Sequence, residues 1–190
     1  MRIAPIAGQE DLPVSLLGTA YAPEIGRAAQ QFSRATYASS RLSLREFEAA
    51  RVVTANINGC RLCKNWRSAV DLPLYLKSIG GDPDESVVNN GAAPDDGFYH
   101  AIADWRDATL FSPRERIAME LAEGMGQAPQ EIAVDEDFWQ RAHALYSDAE
   151  IVDLTYCISC WMALGRMTHV LGLDDVCSLP STASTMEVAA

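Results

Sequence analysis

Three Ser-x-x-Glu tetrads constrain this chain more than any other feature: Ser43-Leu44-Arg45-Glu46, Ser112-Pro113-Arg114-Glu115 and Ser147-Asp148-Ala149-Glu150. In such a tetrad the serine side chain accepts a hydrogen bond from an end amide of a helix. The glutamate reaches back and accepts one from the serine's own amide. Each tetrad therefore marks a helix start, and Pro113 occupies the first helical position, where a missing N–H is harmless. Apolar residues follow at helical spacing: Phe47, Ala50, Val53 and Ile57 after the first start, Ile117, Leu121 and Met125 after the second. After the third come Ile151, Leu154, Ile158, Trp161 and Gly165, on a segment that is apolar almost all round and so is expected to be buried on several sides. A further helix is predicted from Pro23 to about Tyr37, and Asp82-Pro83-Asp84-Glu85 offers a weaker start. No segment alternates at period two, so the predicted fold class is all-α, without a sheet.

Gly80-Gly81 and the stretch from Asn90-Gly91 to Asp96-Gly97 break the middle of the chain, as a loop or a short lid helix. A length of 190 residues suits one medium domain, or one domain built from two similar halves. The repeated helix starts point to a weak internal repeat. The resulting division is a single helical domain over 1–177 and a small, polar tail over 178–190 that is expected to be disordered. The formal charge of -11 repels phosphate backbones and argues against a nucleic-acid partner. No apolar run reaches the ~18 residues that suggest a membrane span. Met1-Arg2-Ile3-Ala4-Pro5-Ile6 runs into Gln9-Glu10-Asp11, which does not read as a secretory signal. The expected compartment is the cytoplasm, where structural disulfides are rare, so the five cysteines read as thiols, redox centres or ligands.

Cys60 and Cys63 stand out among them. Asn58-Gly59 is a turn signal that ends one helix. A new helix starting at Cys60 places both sulfurs in its first turn, where residues three apart share a face. The helix end and the nearby Arg61, Lys64 and Arg67 favour thiolate over thiol. A thiolate beside a second cysteine can attack a peroxide or a disulfide, and the neighbour then closes the bridge. On the same continuous helix Arg67 would lie one turn past Cys63, as a fixed positive charge beside the sulfur. Glu48 shares an apolar helix face with Leu44, Val52 and Ala55 and precedes Cys60 by twelve residues. Folded back against the pair, a buried carboxylate would have a raised pKa and could shuttle a proton. The alternative is that Glu48 pairs with Arg51, one turn on.

The remaining candidates are weaker. Cys157-Ile158-Ser159-Cys160 repeats the CxxC spacing in the middle of an apolar helix, with no cation or helix end to activate it, and reads as core packing. A zinc site joining both pairs would span 93 intervening residues, against the ~15–20 of common zinc motifs. Cys177 reads as an incidental thiol. His100, His143 and His169 lack metal-ligand spacing. One of them could supply a proton relay from across the fold, and nothing local distinguishes which. Trp161, Met162 and Met167 read as core or subunit contact, and Gly80-Gly81 lacks the preceding strand of a phosphate loop. No metal and no cofactor is expected.

Leu42-Ser43-Leu44-Arg45-Glu46-Phe47-Glu48, followed by Asn58-Gly59-Cys60-Arg61-Leu62-Cys63, resembles the carboxymuconolactone decarboxylase superfamily, and within it the alkylhydroperoxidase D-like branch. That branch carries a glutamate twelve residues before a CxxC, which maps to Glu48, Cys60 and Cys63. The stretch Ser147-Asp148-Ala149-Glu150-Ile151-Val152-Asp153-Leu154-Thr155 is similar to the family's last core helix, and the likeness extends over roughly residues 20–175. The resemblance implies an all-α fold, a homo-oligomer (a trimer or a multiple of one) and antioxidant peroxidase activity. It further implies that Cys63 is the peroxide-attacking thiolate and Cys60 its resolving partner, with a dithiol protein as reductant. Two positions depart from the pattern: Arg67 stands where the family has a histidine, and Leu62 where a second histidine sometimes occurs. Arginine can hold a thiolate but cannot relay a proton. That departure keeps two alternatives in view, a redox sensor or thiol–disulfide module without peroxidase turnover, and a lactone decarboxylase-like enzyme.

Overall fold

In the computed structural model the described residues are 1–10, 12, 14–78, 82, 84 and 86–174. Cys177, the 178–190 tail, Gly80-Gly81, and Pro83 and Glu85 of the weak helix start lie outside them. Ten α-helices form among the described residues, and no strand. In chain order they are α1 (Leu17–Tyr21), α2 (Pro23–Ser39), α3 (Leu44–Asn58), α4 (Arg61–Asn65), α5 (Ser68–Ser78), α6 (Asp96–Ala101), α7 (Pro113–Gln127), α8 (Pro129–Ile132), α9 (Glu136–Leu145) and α10 (Asp148–Val170).

All three tetrads form complete capping boxes, at Ser43 with Glu46, Ser112 with Glu115 and Ser147 with Glu150. The capping glutamates also meet arginines from each other's helix starts. Arg114 Nε donates to Glu46 at 2.5 Å and its Nη2 to Glu150 at 2.8 Å, while Arg45 Nε donates to Glu115 at 2.5 Å. The first turns of α3, α7 and α10 thus converge on one network in which each helix end is satisfied twice, by its own serine and by a shared ion pair.

α3 is the central helix, packed between α7 and α10. Phe47, Ala49 and Ala50 are fully buried, and Phe47 meets Trp161 of α10 edge-on at 4.7 Å between ring centres. Burial of each large side chain of this kind is worth about 1.5–3 kcal/mol. Ile117, Ala118, Leu121 and Ala122 of α7 complete the layer. α10 buries Leu154, Cys157, Ile158, Trp161 and Met162 but leaves Val152, Tyr156, Met167 and Val170 exposed. Among the described residues, nothing covers this part of its apolar girth. The glycine-broken middle contains a 3-10 turn at Val87–Asn89 and the short α6, whose start is capped by Asp95.

Candidate active site

α3 ends where the sequence says it should. Gly59 takes the left-handed conformation, φ +73°, as its C-cap. Cys60 is the N-cap of α4, and its sulfur accepts a hydrogen bond from the Cys63 amide at 3.2 Å. Cys60 and Cys63 form a disulfide with a Cα–Cα separation of 5.3 Å, within the ordinary range. Cys60 is fully buried, whereas Cys63 is partly exposed. The Cys63 sulfur rests against α10 at Gly165, where a Cβ would stand 3.6 Å from it. The same Cβ would come within 2.7 Å of Asn58 Nδ2, so the close approach of α3 and α4 to α10 depends on that glycine. Asn58 is held on both sides: its Nδ2 donates to the Trp161 carbonyl at 2.9 Å, and its Oδ1 accepts from Arg166 Nε at 2.9 Å.

Glu48 is fully buried, and the buried Arg51 bridges it to this turn. Arg51 donates through Nε to Glu48 Oε1 at 2.5 Å and through Nη2 to Oε2 at 2.9 Å. Its remaining donors grip the backbone around the cysteines, Nη1 to the Cys63 carbonyl and Nη2 to the Trp66 carbonyl, each at 2.7 Å. Ser68 Oγ and Tyr99 OH also donate to Glu48, both at 2.7 Å. Burial pushes the Glu48 pKa up, but the Arg51 charge and the four donated hydrogen bonds outweigh it, and the carboxyl lies below its ordinary value. The raised pKa expected of Glu48 is therefore corrected. Partnered from every side, it is a fixed anion that orients Arg51, as in the alternative pairing.

The expected position of Arg67 also changes. The helix that begins after Cys60 stops at Asn65; Trp66 is extended, with φ -64° and ψ 138°, and α5 opens at Ser68. Trp66 is committed elsewhere, its ring edge-on to Tyr37 and Tyr75 and its carbonyl held by Arg51, so the helix cannot continue through it. Arg67 consequently does not follow Cys63 on one helix face. Its guanidinium stacks 3.9 Å from the centre of the Tyr99 ring and donates to the carbonyls of Lys64 and Trp66 at 2.8 and 3.0 Å.

Sequence reasoning left open which histidine approaches this site, and it missed Asp174. Asp174, just beyond α10, is buried, and its Oδ2 accepts from the Arg61 amide at 2.9 Å and lies 2.9 Å from His169 Nδ1. Burial raises the Asp174 pKa, but the His169 and Arg61 hydrogen bonds bring it below the ordinary value. Nothing in the local pattern marks this contact, which joins residues 113 positions apart. The other histidines lie elsewhere: His143 faces Asp148 at 3.4 Å at the start of α10, and His100 is exposed near the end of α6.

Cys157 and Cys160 are free thiols buried in mid-α10. Burial pushes both thiols above their usual value, and Cys157 donates to the Asp153 carboxylate at 3.4 Å. Among the described residues no group of three or more His, Cys, Asp or Glu side chains is placed to hold a metal ion, and no helix is long and apolar enough to cross a membrane.

Fold and site together define an all-α protein with a CxxC disulfide at a helix start. Among solved structures the fold matches that of ATU0492 from Agrobacterium tumefaciens, a protein of unknown function suggested to be an AhpD antioxidant defence protein. The match has a TM-score of 0.61 at 19% identity and covers 82% of this chain and 92% of that one. It shows that the two chains share an all-α fold. No protein-family model matches the sequence, and no curated protein matches it.

Proposed function

We propose that the chain is a thiol-dependent peroxidase that cycles Cys60 and Cys63 between dithiol and disulfide. The observation that carries this reading is the asymmetry of the pair, bonded at a helix start with Cys63 partly exposed and Cys60 buried. Cys63 is the accessible nucleophile. Its thiolate attacks the outer oxygen of a hydroperoxide, the O–O bond breaks, and the sulfur becomes a sulfenic acid while the alcohol leaves. Cys60 then attacks that sulfur, forming the disulfide and releasing water. A dithiol reductant restores the pair by attacking Cys63, with Cys60 leaving as a thiolate stabilised by the Cys63 amide.

Glu48 and Arg51 position this turn by holding the Cys63 and Trp66 carbonyls. Arg67 acts as a fixed cation beside Tyr99 at the edge of the site. The working form in this reading is a cytoplasmic homo-oligomer, a trimer or a multiple of one. The exposed Val152 and Tyr156 on α10 and Phe32 on α2 supply apolar surface for that contact. The test is mass-spectrometric mapping of every thiol in reduced protein before and after stoichiometric peroxide. Reversible bridging of Cys60 to Cys63 at a rate well above that of a free thiol is expected. Oxidation that begins at Cys157 or Cys160, or none at all, overturns the proposal.

A further inference from the structure

His169 stands beside the turn that carries Cys60 and Cys63. A Cβ on Gly59 would stand 3.0 Å from His169 Nε2, so the ring edge lies against the backbone just before Cys60. Gly165, which underlies the Cys63 sulfur, is one helical turn before His169 on α10, and residues four apart share a face. The sulfur and the imidazole thus occupy adjacent positions along the same side of that helix. The ring is about half exposed, at 46%, while the Asp174 side chain that meets its Nδ1 is only 1% exposed. Asp174 is in turn anchored by the Arg61 amide, inside the CxxC turn. A carboxylate on Nδ1 fixes the imidazole's orientation and leaves Nε2 to exchange the proton.

From this geometry we infer that His169 is the acid–base residue of the dithiol centre and Asp174 its positioning residue. The inference rests on the dithiol reading above and adds its proton path. When the Cys63 thiolate attacks a peroxide, the departing alkoxide takes the proton from His169 Nε2. The neutral imidazole then accepts the Cys60 proton as Cys60 attacks the sulfenic acid, and returns it to the hydroxide that leaves as water. In the reverse half-cycle an external dithiol reduces the disulfide: one of its two thiol protons passes through the neutral Nε2 to the Cys60 thiolate that leaves, and the other reloads His169 for the next turnover, with Cys63 left as thiolate. Among the described residues, the elements packed at this corner carry Asp174, Arg61 and Lys64 on α4, Arg166 on α10, and the Met1 ammonium and Arg2 of the amino-terminal segment. That segment packs on Gly172, and the Arg2 amide donates to the Leu171 carbonyl at 2.8 Å.

The experiment uses the full chain and two independent readouts, the pH dependence of peroxide-driven disulfide formation and that of disulfide reduction by dithiothreitol. His169→Gln is expected to slow both by about 100-fold near neutral pH and to remove a limb from each pH profile. Asp174→Asn is expected to slow them by about tenfold. In His169→Ala, added imidazole is expected to restore rate, a rescue that a merely structural role would not give. Circular dichroism and the unfolding midpoint identify a variant that has lost its fold, and the half-exposed ring makes His169→Ala the safer of the set. If the wild type forms the disulfide with peroxide but His169→Gln keeps the wild-type profiles and His169→Ala is not rescued, the acid–base role falls and the peroxidase reading stands. If peroxide does not oxidise the wild type, the peroxidase reading falls, and the dithiothreitol profile still decides the role of His169.

Discussion

The chain contains two CxxC segments, and they differ in everything except spacing. Cys60 and Cys63 flank a helix start, one sulfur partly exposed, with the backbone around them held by Arg51 and Asp174. Cys157 and Cys160 sit in the middle of α10, reduced and buried, with Cys157 bonded to the Asp153 carboxylate. A cysteine pair becomes reactive through access and through groups that stabilise a thiolate; spacing alone supplies neither. In the first segment a break in the helix frees the Cys63 amide, which donates to the Cys60 sulfur that caps it. In the second the helix runs on, its amides are spent on the ladder, and burial keeps the thiols protonated.

The sharpest way to break this contrast is to remove the sulfurs one at a time. Cys63→Ser is expected to abolish peroxide-driven oxidation, and Cys60→Ser to trap a sulfenic acid or mixed disulfide on Cys63. Trapping with a sulfenic-acid reagent and peptide mapping reads both, and an adduct on Cys60 in Cys63→Ser would reverse the assigned roles. The next largest effect concerns the support beneath the first pair. Glu48→Ala leaves the buried Arg51 without its anion and is expected to cost about 3–5 kcal/mol, measured by urea unfolding. A loss below about 1 kcal/mol would mean that the ion pair does not hold the turn.

The second pair should respond in the opposite way. Cys157→Ala and Cys160→Ala are each expected to cost about 1–3 kcal/mol of stability, as core substitutions, with peroxide turnover unchanged. Turnover that falls with either substitution would erase the distinction between the segments. Arg67→Met should have a smaller effect: with its guanidinium on Tyr99 and off the Cys63 helix face, alkylation of Cys63 by iodoacetamide at neutral pH is expected to change by less than about twofold. A profile moved clearly to higher pH would put Arg67 back beside the sulfur.

Titration offers the mildest comparison. The folded pKa of Glu48 is lowered, so its contribution is present above the unfolded carboxyl value of about 4.3 and is lost as pH falls through the folded one. The folded pKa of Cys157 is raised, so its contribution is present below the unfolded thiol value of about 8.5 and is lost as pH rises. Urea midpoints between about pH 3 and 10 should therefore fall on both sides. Glu48→Gln flattens the acid limb and Cys157→Ala the alkaline one. Limbs that survive these substitutions belong to other groups.

Much of this arrangement was legible in the chain. The capping boxes at Ser43, Ser112 and Ser147 formed as read, because a cap depends on residues within one turn of each other. So did the Asn58-Gly59 turn and the helix start at Cys60. α9 carries a different start, Asp135 capping the Phe138 amide at 2.9 Å, and lay outside the Ser-x-x-Glu pattern. The break at Trp66 was not legible either, since it follows from where the Trp66 ring packs and from which arginine takes its carbonyl.

The sequence by itself determined the helix starts, the turn that ends α3, and a cysteine pair three residues apart at the head of α4. Each is a local matter, settled by backbone conformation and hydrogen bonds within about four residues. Only the tertiary structure decided that Glu48 is a saturated anion, that Arg67 turns to Tyr99, and that His169 and Asp174 stand at the CxxC turn. Those outcomes depend on α10 packing against α3 at Gly165, a close approach across more than a hundred residues that no local preference encodes.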